Sequence, residues 1–301
     1  MLRYENIVKA AEKAGFDLVG VAHAAPLVDE QARYRSWLEK GYHDSLGYLH
    51  RNIEKRFDPG LLVEGAQTII VCAVNYKSPI SEGYPAGHRA KVASYACNRD
   101  YHTTLKEMLR QLFKELKEQC PGLAGRAFVD SAPVAEKRWA VEAGLGWIGR
   151  QSLLVTPQYG TFVHLGELIL NEVCDSYDTP FAESRCGNCR ACIESCPTGA
   201  IGEERTIDAS RCIACHTIEQ QPDNAIDLNG WIFGCEACQH CCPYNRHAPH
   251  HRNRAFDPVI DPREMTPEMW LAMSRTEFET RLGETPMTRS GLARIRANVK
   301  R

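Results

Sequence analysis

CGNCRACIESCPTGAI, residues 186–201, is the stretch that decides the fold of this chain. Its cysteines follow the spacing C-x2-C-x2-C-x3-C, and the fourth, Cys196, is followed directly by Pro197. Bacterial ferredoxins use this run, in which a tight loop lets three thiolates reach three iron corners of one 4Fe-4S cubane. Zinc sites usually pair two C-x2-C knuckles across a long gap. The run therefore favours an iron–sulfur cluster over a structural zinc ion.

A second set of cysteines lies downstream, in RCIACHTIE (residues 211–219) and GCEACQHCCPYN (residues 234–245). A cysteine that precedes a proline binds the other cluster in two-cluster ferredoxins, and Cys242 precedes Pro243 as Cys196 precedes Pro197. Crossing these ligands predicts one cubane on Cys186, Cys189, Cys192 and Cys242, and a second on Cys196, Cys212, Cys235 and Cys238. Cys215 could replace Cys212, and Cys241 could compete with Cys242, but we expect both to be unligated and buried.

The composition excludes several classes of protein. Of the 301 residues 44% are hydrophobic and 25% charged, and the formal net charge is -2, so no overall field draws the chain onto nucleic acid or membrane. The charged N-terminus is unlike a signal peptide, and the best apolar run, TIIVCAV (residues 68–74), suits a buried strand. We expect a cytoplasmic protein with no membrane partner, in which fourteen cysteines indicate metal or redox chemistry rather than disulfides.

Helical and strand-like segments alternate over the first 180 or so residues. The clearest helix begins near Asp100 and stops at Pro121-Gly122, and its apolar stripe is formed by Leu105, Met108, Leu109, Leu112, Phe113 and Leu116. The pattern predicts an α+β protein. Residues 1–180 are predicted to form a layered α/β domain that binds cofactor and substrate, residues 181–250 a ferredoxin-like domain with two 4Fe-4S clusters, and residues 251–301 a basic tail.

Two clusters alone only transfer electrons, so the α/β domain must carry something to reduce. Here the residues resemble a known family: FVDSAPVAEKRWAVEAGLGWIGRQSLLVTPQYGTFVHLGELIL (residues 128–170) leads into the double ferredoxin run, and RFDPGLLVEGAQTIIV (residues 56–71) and GETPMTRSG (residues 283–291) match as well. The order of these segments is similar to that of epoxyqueuosine reductases over nearly the whole chain. We expect the short form of that family, without its C-terminal helical-repeat domain.

The resemblance implies an activity and its cofactors. Family members use cobalamin, with its lower base detached, next to the nearer cluster, and an external electron donor that the sequence does not identify. They reduce the epoxide of epoxyqueuosine at the wobble position of tRNAs with a GUN anticodon, those for Asp, Asn, His and Tyr. Two electrons and two protons remove the epoxide oxygen as water and leave the alkene of queuosine.

The resemblance also implies roles for individual residues. Asp130 matches the proton donor of the family, and we expect desolvation beside the corrin to raise its pKa and keep it protonated near neutral pH. From its position before Pro133, Asp130 could equally cap the following helix. The other residues in cobalamin-lining segments are Arg56, Cys97, Gln151 and Leu154, for which surface, core or loop roles remain the alternatives.

Contact with tRNA is predicted from basic residues in and before the tail. Their charges could grip phosphates at the mouth of the active site, although a basic run is usually a solvated face; they are Arg246, Arg252, Arg254, Arg281, Arg289, Arg294, Arg296, Lys300 and Arg301. Two other functions stay open. One is a cobalamin-dependent reductive dehalogenase, which would usually carry an export signal. The other is a two-cluster electron carrier, which would leave the α/β domain without a task.

Overall fold

The computed structural model describes residues 1–181, 183–219 and 226–301. Within these ranges the strands are β1 (Leu18–His23), β2 (Thr68–Asn75), β3 (Lys91–Val92), β4 (Gly125–Phe128), β5 (Trp147–Ile148), β6 (Leu154–Val155), β7 (Val163–Leu170) and β8 (Trp231–Phe233). The helices are α1 (Tyr4–Lys13), α2 (Val28–Glu39), α3 (Ile53–Phe57), α4 (Tyr101–Gln119), α5 (Glu136–Glu142), α6 (Ala191–Glu194), α7 (Ile213–Ile218), α8 (Ala237–His240), α9 (Pro243–Arg246), α10 (Pro267–Ala272), α11 (Arg275–Leu282) and α12 (Gly291–Val299).

The main sheet has four strands in the order β1-β2-β7-β4. Every pairing in it is antiparallel, so the predicted α+β class is confirmed. Strand β2 is buried along its whole length, because helices cover both faces of the sheet and leave none of its side chains in water.

Opposite faces of the sheet carry different helices. On one face, α1 and α4 pack through a core that includes Ile7, Leu109 and Leu168. On the other face, α5 packs through Trp139 and Ala140 against Ile169. The predicted helix is therefore confirmed as α4, and it buries Leu105, Met108, Leu109, Leu112 and Leu116 while Phe113 is half-buried.

Residues 251–301 are folded rather than an extended tail. Helices α10, α11 and α12 bury Trp270, Phe278 and Ile295 in a core shared with Cys97 and Phe233. Strand β3, from the first part of the chain, pairs in parallel with β8 from the cysteine-rich part. Residues of the three predicted regions thus pack against one another, and the boundaries between the regions stay a prediction.

The described residues contain no helix that is both long enough and apolar enough to span a bilayer.

Candidate active site and cluster module

A cavity of about 370 Å³ opens where several distant segments of the chain meet. The start of α4 contributes Tyr101 and His102, and the loop after β4 contributes Asp130. The opposite wall includes Phe233, two residues before the predicted ligand Cys235, and Arg289 from the last part of the chain. The cavity therefore lies between the sheet domain and the cysteine-rich module.

Asp130 lies at the cavity with a backbone conformation that few residues adopt. Its φ is +42°, in the left-handed region that aspartate tolerates better than most side chains. The carboxylate oxygen Oδ2 accepts hydrogen bonds from the Tyr101 hydroxyl, at 3.1 Å, and from His102 Nε2, at 2.8 Å. Helix α5 begins only at Glu136, with Ala135 as its N-cap residue. The alternative that Asp130 caps this helix is therefore wrong.

The protonation state expected for Asp130 is also wrong. Desolvation is the largest single influence and raises its pKa, but the hydrogen bond and charge of His102, with help from Tyr101 and Arg289, bring the pKa below its ordinary value. Hydrogen bonds to Asp100 and Asp130 raise the pKa of His102 from 6.5 to about 9. At neutral pH the proton therefore sits on His102, between two carboxylates, because a charged neighbour outweighs the effect of burial.

The N-terminus of α4 determines the position of His102 beside Asp130. Asp100 is the N-cap of α4 and accepts from the His102 backbone N–H at 2.9 Å. The same carboxylate oxygen lies 2.7 Å from His102 Nδ1. The cap thus fixes both the first helical turn and the orientation of the imidazole, so that Nε2 faces Asp130.

The cysteines of the crossed assignment lie in one module and influence one another's pKa. Burial raises the pKa of the Cys242 thiol, and the charges of Cys186 and Cys189 raise it further. Burial also raises the pKa of Cys235, with added contributions from Cys212 and Cys196. Thiols that influence each other in this way lie close together, but Cys238 is also influenced by Cys192 of the other set, so the division into two sets of four stays a prediction.

Hydrogen-bond donors surround these sulfurs. The Ala200 N–H donates to Cys196 Sγ at 3.3 Å, and the Trp147 indole Nε1–H donates to Cys186 Sγ at 3.4 Å. Such donors stabilise thiolates and cluster sulfur, so this lining fits a pair of iron–sulfur clusters. Among the described residues no His, Cys, Asp or Glu side chains are grouped as ligands of a single metal ion, and a cubane spreads its four thiolates around a larger cage than one zinc ion does.

The two leftover cysteines differ in exposure. Cys215 is buried, as expected, whereas Cys241 is half-buried. The Cys241 thiol donates to the carbonyl of Cys238 at 3.5 Å. Cys241 is therefore less buried than we expected, because it lies near the predicted ligands Cys192 and Cys238 rather than in an apolar core.

The residues predicted to contact cobalamin are of two kinds: two have buried nitrogens without a hydrogen-bond partner among the described residues, and two pack in apolar cores. Buried nitrogens of Arg56 (Nε) and Gln151 (Nε2) have no hydrogen-bond partner among the described residues, and such donors fit a ligand rich in amide oxygens. Leu154 is 3% exposed and packs in the core beside α5. Cys97 is fully buried, and its thiol donates to the Ala93 carbonyl. Its packing is that of a core residue, and its contact with cobalamin stays a prediction.

Several residues of the site were not identified from the sequence. Tyr101 and His102 lie within the helix predicted to begin near Asp100, and Trp147 lies within the segment 128–170 that resembles the family, but none of the three was predicted to belong to the site. Asn98, next to Cys97, is fully buried and both its amide atoms lack a hydrogen-bond partner within the described ranges. The cap at Asp100 was the one local signal that could have pointed to His102.

The basic residues divide into two groups. Arg294 and Arg296 donate to the carbonyls of His216 and Met273, and Arg301 donates to Ile226. These hydrogen bonds attach α12 and the residues that follow it to earlier parts of the chain. Other members are exposed, namely Arg246, Arg252, Arg254, Arg281, Arg289 and Lys300.

Comparison with known proteins places the chain. The family model "Epoxyqueuosine reductase QueG, DUF1730" matches residues 56–131, and the "4Fe-4S double cluster binding domain" model matches residues 185–245. An epoxyqueuosine reductase of Cyclobacterium marinum is 38% identical over 97% of this chain and 94% of its own. The chain belongs to the epoxyqueuosine reductase family. Its cysteine-rich module accordingly binds 4Fe-4S clusters rather than zinc.

Solved structures agree with this assignment. An epoxyqueuosine reductase in complex with an epoxyqueuosine-modified tRNA-Tyr stem loop superposes with a TM-score of 0.87, at 27% identity over 98% of this chain and 79% of that one. The Bacillus subtilis enzyme, described with an aspartate catalytic loop swung out of its active site, has a TM-score of 0.86 at 26% identity, with the same coverage. A catabolic reductive dehalogenase shares the fold alone, with a TM-score of 0.50 at 17% identity over 80% of this chain and 31% of its own.

Proposed function

We propose that this protein reduces epoxyqueuosine in tRNA to queuosine. Family membership supports the reaction, and the observation that carries it is the 2.8 Å hydrogen bond between His102 Nε2 and the Asp130 carboxylate at the cavity wall. A departing epoxide oxygen needs a proton, because an alkoxide is a poor leaving group. The cavity supplies that proton next to a module that binds redox clusters.

The reaction needs electrons from the cofactors and residues that hold the cobalamin. When bound, 4Fe-4S clusters supply electrons one at a time and a reduced corrin cobalt supplies a strongly reducing, nucleophilic centre. We propose base-off cobalamin, which Arg56 and Gln151 would hold by donating to its amide oxygens; Leu154 and Cys97 would contribute to the packing around this site, and Asp130 would face the substrate. The unpartnered nitrogens of Arg56 and Gln151 support this placement.

Asp130 and His102 carry out the proton transfer together. Substrate binding expels water from the cavity and increases the cost of a charged Asp130. The carboxylate then takes the proton of His102 across their 2.8 Å hydrogen bond and donates it to the oxygen. Asp100 holds the imidazole in place during this transfer, and the exposed part of His102 regains a proton from solvent.

The substrates we propose are the tRNAs with a GUN anticodon, those for Asp, Asn, His and Tyr. The modified base must leave the anticodon stack to enter the cavity. Arg289 lies at the cavity wall, and the exposed Arg246, Arg252 and Arg254 follow the cluster module; we propose these cations as contacts for tRNA phosphates. These substrates also lead us to propose a cytoplasmic location.

The test is turnover of an epoxyqueuosine-containing tRNA stem loop by anaerobically purified protein with cobalamin and a chemical reductant. Mass spectrometry of the nucleosides should show loss of one oxygen atom. Asp130→Asn should keep clusters and cobalamin yet lower turnover at least about 100-fold, the usual size of general-acid catalysis. The control is Asp257→Asn, an exposed aspartate.

Three results would count against this proposal. Wild-type protein that loads its clusters but does not retain a corrin would support the electron-carrier alternative. Reduction of halogenated aromatics but not of the tRNA would support the dehalogenase alternative. An Asp130→Asn variant that loses its fold or its cofactors would assign Asp130 a structural role.

A further inference from the structure

A row of four stacked aromatic rings runs from the core of the protein to the active-site cavity. In order, the rings belong to Tyr76, His164, Tyr101 and His102. Successive ring centroids are 4.3, 4.3 and 4.2 Å apart, and successive ring planes are inclined by 28°, 9° and 25°. Tyr101 and His102 line the cavity. The row therefore joins the buried sheet to the cavity wall.

The row forms where helix α4 packs on the sheet. His164 is the second residue of β7, Tyr76 directly follows β2, and Tyr101 is the first residue of α4. Alternate residues of a strand point to the same face, so His164 and Gly166 face α4 together. Because Leu109 of α4 lies against Gly166, the same packing brings Tyr101 over His164.

The imidazole of His164 is held between two tyrosine rings. It is 8% exposed, and each tyrosine stacks on it at 4.3 Å. Two rings cannot both stack on one face of an imidazole, so Tyr76 and Tyr101 cover opposite faces. A ring enclosed in this way cannot tilt without losing a contact, and it gives Tyr101 a fixed flat surface to lie on.

His164 adds no charge to the site. Burial is the largest influence on its pKa and lowers it from 6.5 to about 3, although the charges of Asp130 and Asp100 oppose the shift. The ring is therefore neutral at neutral pH. Replacing it by another uncharged side chain changes the shape of the support behind Tyr101 and leaves the charge beside the cavity unaltered.

The orientation of Tyr101 matters because its hydroxyl donates to Asp130 Oδ2 at 3.1 Å. His102 Nε2 lies 2.8 Å from the same oxygen. The φ of Asp130 is +42°, and a residue in that region stays there only when its surroundings hold it. If the tyrosine ring tilted, a shift of its hydroxyl by about 1 Å would take this contact beyond hydrogen-bonding distance.

We propose that His164 is a positioning residue for the reaction: its flat ring fixes Tyr101, and Tyr101 fixes the Asp130 carboxylate that faces the substrate. This inference rests on the proposed function. The property that the site requires at position 164 is a flat, uncharged ring. Phenylalanine should therefore serve as well as histidine, whereas leucine, which is also apolar but has no flat face, should not.

The first measurement does not depend on activity. Hydrogen bonds to Asp100 and Asp130 raise the pKa of His102 to about 9, so this pKa reports whether Asp130 is in place. It is followed by imidazole NMR, in which the signal of His102 is the one missing from His102→Gln. His164→Leu should lower the pKa of His102, and His164→Phe should keep it. A folded His164→Leu variant with the wild-type pKa of His102 would overturn the proposal.

Two further variants separate positioning from a general loss of packing. Phe162 is buried in the same core but meets Tyr76 edge-on, at 87°, so Phe162→Leu should lower the Tm and leave the pKa of His102 unchanged. His164→Met, which also lacks a flat face, gives the same comparison should His164→Leu not fold.

The second measurement is single turnover of the tRNA stem loop by pre-reduced enzyme. His164→Leu should slow oxygen removal about 10-fold, the effect of losing a stacked contact that orients a reacting group, and should leave the affinity for the stem loop unchanged. His164→Phe should match wild type. In an Asp130→Asn background, His164→Leu should cause no further slowing, because residues that act together are coupled in a double-mutant cycle.

The outcomes distinguish this inference from the function on which it rests. Equal slowing by His164→Leu with and without Asp130 would show that His164 does not act through Asp130 and would overturn the positioning role alone. His164→Phe as slow as His164→Leu would also overturn it, because the imidazole nitrogens and not the flat ring would then be required. A wild type that binds both cofactors and leaves the epoxide intact would overturn the proposed function, and the positioning role with it.

Discussion

At the scale of single residues, Asp130, the proton donor that we propose, shows how a side chain is held in a strained position. A non-glycine residue at φ +42° persists only when its surroundings hold it there. Here the backbone N–H is held by Glu136, and the side chain by Tyr101 and His102. These contacts come from α4 and α5, so the loop is fixed from both sides.

Replacing His102 by Gln should change stability in a pH-dependent way. The folded-state pKa of His102 is raised from 6.5 to about 9, so its stabilisation is complete below pH 6.5 and is lost as pH rises through 9. The Tm difference between wild type and His102→Gln should therefore be largest near pH 6 and small near pH 9.5, measured by scanning calorimetry. The exposed His247→Gln is the control, and a difference that grows with pH would contradict the ion-pair assignment.

Trp147 should affect the reduction potential of the cluster that Cys186 is predicted to bind. A hydrogen bond to a ligand sulfur stabilises the more negative, reduced state, so Trp147→Phe should lower the reduction potential of one cluster, followed by EPR during a redox titration. Trp270→Phe is a matched control, since Trp270 is also buried but its indole nitrogen has no hydrogen-bond partner in the described part of the chain. Equal potentials in both variants would show that the Trp147 contact has no electrostatic role.

At the scale of elements, α4 connects the core to the active site. Its apolar stripe packs against the sheet, where Leu109 is fully buried beside Gly166 of β7. Its first turn carries Tyr101 and His102 to the cavity. A β-carbon at Gly166 would approach Leu109 Cδ1 to 2.9 Å, so the helix lies close against the strand, and the position of His102 follows from this packing.

Leu109→Ala should therefore destabilise the protein without changing its chemistry directly. Removing a fully buried leucine costs about 2–5 kcal/mol, from lost burial and from the cavity that remains. Urea unfolding should show this loss, and Gln111→Ala, on the exposed side of α4, should stay within about 0.5 kcal/mol of wild type. A cost for Leu109→Ala as small as that of the control would mean that α4 does not pack on the sheet as described.

At the scale of the whole molecule, the cysteine-rich module is built into the fold. Strand β8 pairs with β3, and α12 holds β8 through the side-chain amide of Asn298, which donates to Ile232 at 2.9 Å. The buried ammonium of Lys77 donates to the carbonyls of Asn245 and Ala248, just after the predicted ligand Cys242. The clusters thus belong to the same packed structure as the cavity.

Metal analysis and calorimetry should show this coupling. Anaerobic protein should contain about eight irons per chain, two cubanes of four. Removing the iron with a chelator should lower the Tm of the whole protein, because ligation contributes to folding free energy and the core is shared. Separate transitions, with that of the sheet domain unchanged after iron removal, would show instead that the module folds independently.

The sequence by itself determined the features that depend on local spacing. The iron–sulfur module follows from the short spacing between cysteines, and α4 follows from an apolar period that a helix must bury. The family segments identified the reaction for the same reason, since each is a continuous run. These predictions needed no knowledge of which segments meet in space.

Only the tertiary structure decided which group carries the proton. Asp130 was expected to be protonated because burial alone raises the pKa of a carboxyl, but His102 lies 28 residues away in sequence and reaches it only through the packing of α4. The folding of residues 251–301 and the burial of Cys97 likewise depend on contacts between distant segments. Charge and burial at a site are sums over spatial neighbours, and the order of residues along a chain does not specify those neighbours.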